Sequence, residues 1–394
     1  MVLVAVRPAK IPEWTWPLAG AALVIAIGKE APQAAADAIA AQWNVLLFIL
    51  GLMAISAAAE RSGLFAWLAG ILLMRAGGSR RRLFTLIFGA GALLTTVMSN
   101  DATAIVFTPV VYRAIASRGI DALPYLYACT FVADAASFGL PFSNPANLLV
   151  FARPNLAAFA VHLLVPMLLA VALNLGIFLA LFRSHLNDRY SAAPAPPLEP
   201  RMRWTMATMV LVACAYVAAL VFDVPLGPVA VVGAILVIAV SHVRPQEAAR
   251  EIGWSTFALL AGMFVLLDAV VRQGAVALAL DALRDEAHHG ALATIVAAAF
   301  GSAIASNVLN NLPVAVISGA VVHHGIGAPA AYALVAGVDL GPNLTTTGSL
   351  ATILWLSIVR ARGIAVNPFE YLKLGLLVVP ATLMVTSVWL WIIR

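Results

Sequence analysis

The stretches Trp204–Phe222, Thr256–Val271 and Tyr371–Ile393 are apolar almost from end to end. Each approaches or exceeds the roughly 20 apolar residues with which a helix crosses a bilayer. Only 10% of the 394 residues are charged and 63% are hydrophobic, whereas a soluble domain carries about 25% charged residues. The chain therefore reads as an all-α polytopic membrane protein. Its formal charge of +5 reports orientation in the membrane and is no sign of a nucleic-acid partner. Cys129 and Cys214 both lie in apolar runs, so neither a disulfide framework nor a zinc spacing is visible. No cofactor and no metal site are expected. The N-terminus carries Arg7 and Lys10 but lacks the pattern of a removable signal peptide.

The sequence repeats itself. "GAALVIA" at Gly20–Ala26 matches "GAILVIA" at Gly233–Ala239, and Gly51–Gly63 aligns with Gly262–Gly274. Ser99-Asn100 aligns with Ser306-Asn307, Pro109 with Pro313, and Asp134 with Asp339. Matches that keep their order across a chain point to two related halves. Residues 1–183 form the first repeat, 184–203 a cytoplasmic linker containing "SAAPAPPLEP", and 204–394 the second repeat. In the second half a helix at 204–222 precedes "GAILVIA". In the first half residues 1–7 read as the tail of a helix whose beginning is absent.

Basic residues test the relation between the halves. Spanning helices are expected near 14–30, 44–60, 121–151, 156–183, 204–222, 226–242, 254–271, 327–361 and 367–392. Segments 83–117 and 291–323 read as re-entrant hairpins, each fed by a short amphipathic arm, 63–76 and 274–286. Seventeen of the 23 Lys and Arg then face one side, five face the other, and Lys373 lies inside the last helix. The rich side is cytoplasmic by the positive-inside rule. The N-terminus of the chain is then cytoplasmic and the C-terminus outside, the first hairpin opens to the cytoplasm, and the second opens outward. The expected fold is an inverted-repeat secondary transporter with two re-entrant hairpins and two broken helices.

Four polar interruptions break the apolar segments, two in each half: Ser99–Thr103, Gly139–Asn147, Ser306–Asn311 and Asp339–Ser349. Unpaired backbone is too costly in hydrocarbon to occur except where protein or a wet cavity satisfies it. Helix N-termini bring partial positive charge and free N–H groups. Broken helices at corresponding places in two halves mark a substrate site near the membrane midplane.

The motifs "SNDATAIVFTP", "FVADAASFGLPFSNPANLL", "NNLPV" and "GVDLGPNLTTTGSLATILWL", followed by "YLKLG" at Tyr371–Gly375, resemble the ArsB-type arsenite and antimonite efflux carriers of the ion-transporter superfamily. The resemblance runs from about Pro12 to the C-terminus. It implies a carrier of the bacterial inner membrane that exports trivalent arsenic and antimony hydroxides, driven by the membrane potential or the proton gradient. It further implies a homodimer with a fixed scaffold and a mobile part. It leaves open whether an arsenite-stimulated ATPase subunit energises the carrier.

The candidate binding residues are those of the interruptions. Asp101 is an ionisable group within the membrane, hence functional by default, though it could also cap the half-helix that follows. Asp134 and Asp339 either carry the coupled proton or brace the breaks. Asn100, Asn144, Asn147, Asn307, Asn310, Asn311 and Asn343 offer amides; Ser99, Thr103, Ser306, Thr345, Thr346, Thr347 and Ser349 offer hydroxyls. Some of these serve the cargo and some serve broken backbone. Cys129 is a possible arsenic ligand, but a lone thiol in an apolar helix is ordinarily core. Glu60 and Asp268, beside Arg61 and Arg272, read as interfacial ion pairs. His288, His289, His323 and His324 read as a solvated outer surface. The rival functions are a sodium/proton antiporter, a sodium-coupled carboxylate or inorganic-anion carrier, and an ion channel whose filter would be the hairpin tips. No nucleophile–base set suggests an enzyme.

The topology has a direct test. Single cysteines at Ser79 and Ala361 should react with impermeant reagents only from the cytoplasm, and one at Ala328 only from outside. Labelling at position 328 from the cytoplasm would end the inverted-repeat reading.

Overall fold

The computed structural model describes residue 12 and residues 14–191, 194 and 196–394. Arg7, Lys10 and the proposed helix tail at 1–7 lie outside them. The described chain is helical throughout, apart from one isolated bridge between Ser79 and Arg189. Six helices are long and apolar enough to cross a membrane: Trp43–Arg61, Leu156–Leu181, Pro200–Val221, Trp254–Arg272, Ala291–Leu309 and Pro368–Ile392. The fifth was expected as one arm of a hairpin.

The first repeat runs through α1 (Thr15–Ala26), α2 (Pro32–Ala41), α3 (Trp43–Arg61), α4 (Leu64–Arg75) and α5 (Arg80–Val97). A break at Met98–Ser99 follows, then a π-helical stretch Ala102–Phe107 that continues into α6 (Thr108–Ala116). The expected broken helix is present as α7 (Leu123–Ala135) and α8 (Pro145–Val150), and α9 (Leu156–Leu181) and the single turn α10 (Arg183–Leu186) complete the half. The second repeat comprises α11 (Pro200–Val221), α12 (Leu226–Val240), α13 (Pro245–Glu251), α14 (Trp254–Arg272), α15 (Ala275–His288), α16 (Ala291–Leu309) and α17 (Asn311–His323). Its broken helix is α18 (Ala328–Leu340), a 3-10 turn Gly341–Leu344 and α19 (Leu350–Arg360), and α20 (Pro368–Ile392) ends the chain.

Four differences from the sequence reading stand out. Helices α2 and α13 were not expected, because each is short and its alanines give a weak apolar stripe. Helix α1 ends at Ala26, four residues before the expected end, in a turn through Gly28 at φ +70. The described part of the 184–203 linker packs on the first repeat: the Tyr190 hydroxyl donates to the Leu73 carbonyl at 2.7 Å, and Pro196 packs on Gly70. The hairpin tips are also tighter than read. Ser306 and Asn307 lie inside α16, and the second break is Asn310 alone, at φ +79. In the first hairpin the helix resumes directly after Ser99.

The two halves hold each other by exchange. Helix α3 of the first half packs on α12 of the second, and α14 of the second packs on α1 of the first. Both contacts need glycine. A Cβ on Gly51 in α3 would collide with the Ala230 backbone in α12, and one on Gly262 in α14 with the Pro17–Leu18 backbone in α1. These two glycines are the pair matched in the sequence repeat. Both α3 and α14 end at matched left-handed glycines, Gly63 at φ +84 and Gly274 at φ +95, before the arms α4 and α15. The exchange recurs deeper: α17 packs on α8, and the π-helical stretch packs on α19. The main core cluster runs through both halves, and a small second one, Ala21, Ala35 and Val265, joins α1, α2 and α14.

Gly51→Val and Gly262→Val should each force the crossing helices apart and destabilise the fold by about 1–3 kcal/mol, the usual scale of overpacking. Gly89→Ala, where a Cβ meets nothing within 4 Å, is the control. Thermal unfolding of the three purified variants in detergent checks this; a normal melting curve for Gly51→Val would refute the close-contact reading.

Candidate functional site

The centre of the molecule is built where the four breaks meet. Helix α7 stops at Ala135 and the chain crosses to α8 without regular structure; Asn144 starts α8 by accepting from the Ala146 N–H at 3.0 Å. In the other half Ser349 starts α19 by accepting from the Thr352 N–H at 3.0 Å. Polar caps of this kind satisfy donors that hydrocarbon cannot.

Each cap faces the aspartate of the other repeat. The Asn144 amide donates to Asp339 Oδ1 at 2.8 Å, and the Ser137 hydroxyl donates to Asp339 Oδ2 at 2.7 Å. In reverse, Ser349 pairs with the Thr352 hydroxyl at 2.8 Å, and Thr352 Oγ1 donates to Asp134 Oδ2 at 3.5 Å. The Asn100 amide also faces Asp134. Asp134 and Asp339 are both buried. These hydrogen bonds tie the repeats together across the core. Ser137 and Thr352 are site residues that sequence reading missed. Ser137 lay inside the quoted motif, but only the tertiary contact distinguishes it from its neighbours.

Each hairpin tip is tied to its own repeat. The Asn100 N–H donates to the Ser143 carbonyl at 3.1 Å, and the Asn311 N–H donates to the Gly348 carbonyl at 2.9 Å. By this bonding Asn310-Asn311 is the counterpart of Ser99-Asn100, four residues beyond the Ser306-Asn307 that the sequence match aligned. The tips are capped alike: Ser99 Oγ accepts from the Ala102 N–H at 3.2 Å, and Asn310 Oδ1 from the Leu312 N–H at 3.4 Å.

The remaining candidates divide. Asn307 donates to the Ala303 and Gly341 carbonyls, both at 2.8 Å, and its Oδ1 accepts from Thr345 at 2.7 Å. Thr345 also meets Thr347 at 3.4 Å, and Thr346 is buried beside them. Asn307 thus holds broken backbone. Thr103 turns into the hairpin, bonded with Thr95 at 2.8 Å. Asn147 donates to the Ser137 and Leu140 carbonyls and Asn343 to the Phe131 carbonyl. The Oδ1 atoms of Asn147, Asn311 and Asn343 and the Ser306 hydroxyl are buried without a partner. Each such acceptor costs about 1–3 kcal/mol unless something supplies a donor or a cation.

Asp101 stands apart. Its N–H is bonded to Asn100 Oδ1 at 3.0 Å, but its carboxylate accepts no hydrogen bond among the described residues. It borders a cavity of about 160 Å³ whose other polar groups are Ser56, Ser99, Glu60 and Glu251. Glu60 pairs with Arg113 at 2.9 Å and Glu251 with Arg61 at 2.5 Å. Glu60 therefore reaches the hairpin arm, where the sequence suggested its neighbour Arg61. Asp268 does pair with its own neighbour in the helix, Arg272, at 2.6 Å. Cys129 is buried on α7 against Thr108 and does not join the aspartates. The four histidines are exposed, and among the described residues no group of three or more metal-ligating side chains assembles.

Asn144→Ala removes both a cap and a donor to Asp339. It should cost about 1 kcal/mol for the cap and about 1–3 kcal/mol for the carboxylate oxygen left without a donor. Ser137→Ala removes only a donor and should cost less. Melting of the two variants decides it: equal losses would mean that Asn144 does not act as the cap.

The profile of the citrate transporter family matches residues 1–337. The arsenical pump membrane protein of Yersinia enterocolitica is 28% identical over 366 residues, 87% of this chain and 85% of that one. Its namesake in Escherichia coli is 27% identical over 367 residues, with the same shares. An uncharacterised transporter of Mycobacterium tuberculosis is 26% identical over 372 residues, 89% of this chain and 86% of that one. In three dimensions the crystal structure of the Alcanivorax borkumensis YdaH transporter superimposes with a TM-score of 0.57. It is 15% identical and covers 91% of this chain and 86% of that chain, a likeness of fold. With a helical body of six apolar spans and matched broken helices already in place, these matches assign the chain to the citrate transporter family, as a multi-pass membrane transporter related to the arsenical pump membrane proteins.

Proposed function

We propose that the protein exports arsenite and antimonite from the cytoplasm in exchange for protons, by an elevator motion of the hairpins and broken helices against α3, α11, α12 and α14. The observation that carries this reading is Asp101: a carboxylate without a donor among the described residues, on a cavity that reaches the Glu60–Glu251 face. Such a group is free to take a proton and to release it. Asp134 and Asp339, held by fixed donors, serve chiefly to brace the breaks.

The chemistry of the lining favours a neutral cargo. At neutral pH arsenite is a trihydroxide that brings three O–H donors. Outside the residues that line the Asp101 cavity, buried amide oxygens on Asn147, Asn311 and Asn343 lack donors. The cavity holds three carboxylates and no Lys or Arg among its lining residues. Glu60 and Glu251 are paired with arginines, but a tricarboxylate such as the citrate of the family's name would meet like charge at Asp101, which has no ion-pair partner among the described residues. The names of the relatives point the same way. The same unpartnered oxygens also suit a cation, and on that ground a sodium/proton antiporter or a sodium-coupled carrier is the second reading. The homodimer and the inner-membrane orientation, with the N-terminus of this chain cytoplasmic and the C-terminus outside, belong to the proposal.

Uptake of arsenite into everted vesicles, with the proton gradient and sodium varied separately, tests both readings. Proton-driven uptake independent of sodium is expected; a strict sodium requirement would select the second. Asp101→Asn should lower gradient-driven uptake more than tenfold while passive exchange continues. A variant that still concentrates arsenite in response to a pH difference would remove Asp101 from proton coupling.

A further inference from the structure

Far from the central site, a groove of about 400 Å³ lies where α9 ends and α5 begins, lined by Arg81, Gly176, Leu179, Ala180, Arg183, Leu186 and Asn187. Its floor and its rim differ in character. The floor is the spanning helix α9: Gly176, Leu179 and Ala180 stand at i, i+3 and i+4 and so share one face. A Cβ on Gly176 would meet nothing within 4 Å, so the floor is open. The rim is Arg81 and Arg183, both exposed. The nearby carboxylate, Asp188, is taken by Arg80 at 2.9 Å. Among the described residues Arg81 and Arg183 have no acidic partner.

The depth of the groove identifies its occupant. Arg183 directly follows the apolar run of α9, which places the rim at the level of lipid headgroups. From Gly176 to Arg183 the helix rises about 10 Å, at 1.5 Å per residue, so the floor reaches the upper acyl region. A soluble anion would use the two arginines and leave the apolar floor bare. A zwitterionic lipid would cover the floor and leave the two positive charges without a net counter-charge. Basic pockets between spanning helices on the cytoplasmic side are suited to anionic headgroups. We propose that this groove binds an anionic phospholipid, its phosphate between Arg81 and Arg183 and one acyl chain along Gly176, Leu179 and Ala180. The bound lipid bridges α5, the first arm of a hairpin, to α9, which packs on α20. The inference is independent of the cargo.

Native mass spectrometry of the purified chain in detergent, with phosphatidylglycerol or phosphatidylcholine added, tests this. The wild type should retain phosphatidylglycerol in preference. The double substitution Arg81→Gln with Arg183→Gln should lower that retention by about tenfold or more, the scale of two arginine contacts with an anionic lipid. Gly176→Trp fills the floor with both arginines intact and should lower it as well, whereas Arg244→Gln, an exposed arginine elsewhere, should not. Gel filtration reports whether each variant is intact; if the double variant aggregates, Gly176→Trp decides alone. Unchanged retention in either intact groove variant would overturn the proposal. So would displacement of the lipid by inorganic phosphate, which would mark a site for a soluble anion.

Discussion

Everything in this fold follows from the need to pair backbone groups where helices stop inside the membrane. A spanning helix satisfies its own N–H and C=O groups, and a broken one does not. This chain breaks four. It meets the cost with side chains that serve two purposes at once: Asn144 and Ser349 cap the half-helices α8 and α19 and also connect to the aspartates opposite. Remove the caps and both the half-helices and the bonds between the repeats lose their support.

The pattern of attachment is suited to movement. Each hairpin tip is bonded to the break of its own repeat, through Asn100 to Ser143 and through Asn311 to Gly348. Each buried aspartate is bonded to the other repeat. The tips, breaks and aspartates therefore form one connected body. The helices that cradle it, α3 on α12 and α14 on α1, meet instead by glycine-mediated contact of apolar surfaces. Among the described residues the polar ties of the hairpin arm to α3 are exposed ion pairs such as Glu60–Arg113, worth about 0–1 kcal/mol, beside apolar packing of α3 on the π-helical stretch. Under the proposed elevator motion, the tips, breaks and aspartates would move together.

Much of this was legible in the sequence, for particular reasons. The spans were visible because hydrocarbon demands about 20 apolar residues. The breaks were visible because Gly139, Pro141, Gly341 and Pro342 interrupt otherwise apolar runs. Asp101 was visible because charge is scarce here. Illegible were the division of labour among seven asparagines and the identity of the partner residues. Nothing local to Asn307 says that it holds the Gly341 carbonyl while Asn311 keeps a free oxygen. The alignment of Ser99-Asn100 with Ser306-Asn307 was misleading by about one helical turn. Identical letters recur readily in a small polar alphabet, and bonding to Ser143 and Gly348 specifies the true counterparts.

By itself, then, the sequence determined that the chain lives in a membrane, that it has two related halves and that each half is broken twice, because these are consequences of composition and of glycine and proline chemistry along the chain. The tertiary structure alone decided that Asp339 is held by Ser137 and Asn144 from the other half, that Asp101 has no donor among the described residues, and that Arg81 and Arg183 stand over an open apolar floor. The physical reason is that a hydrogen bond or a cavity belongs to groups brought together from distant parts of the chain. Their separation in sequence, about 200 residues between Asn144 and Asp339, leaves no local trace.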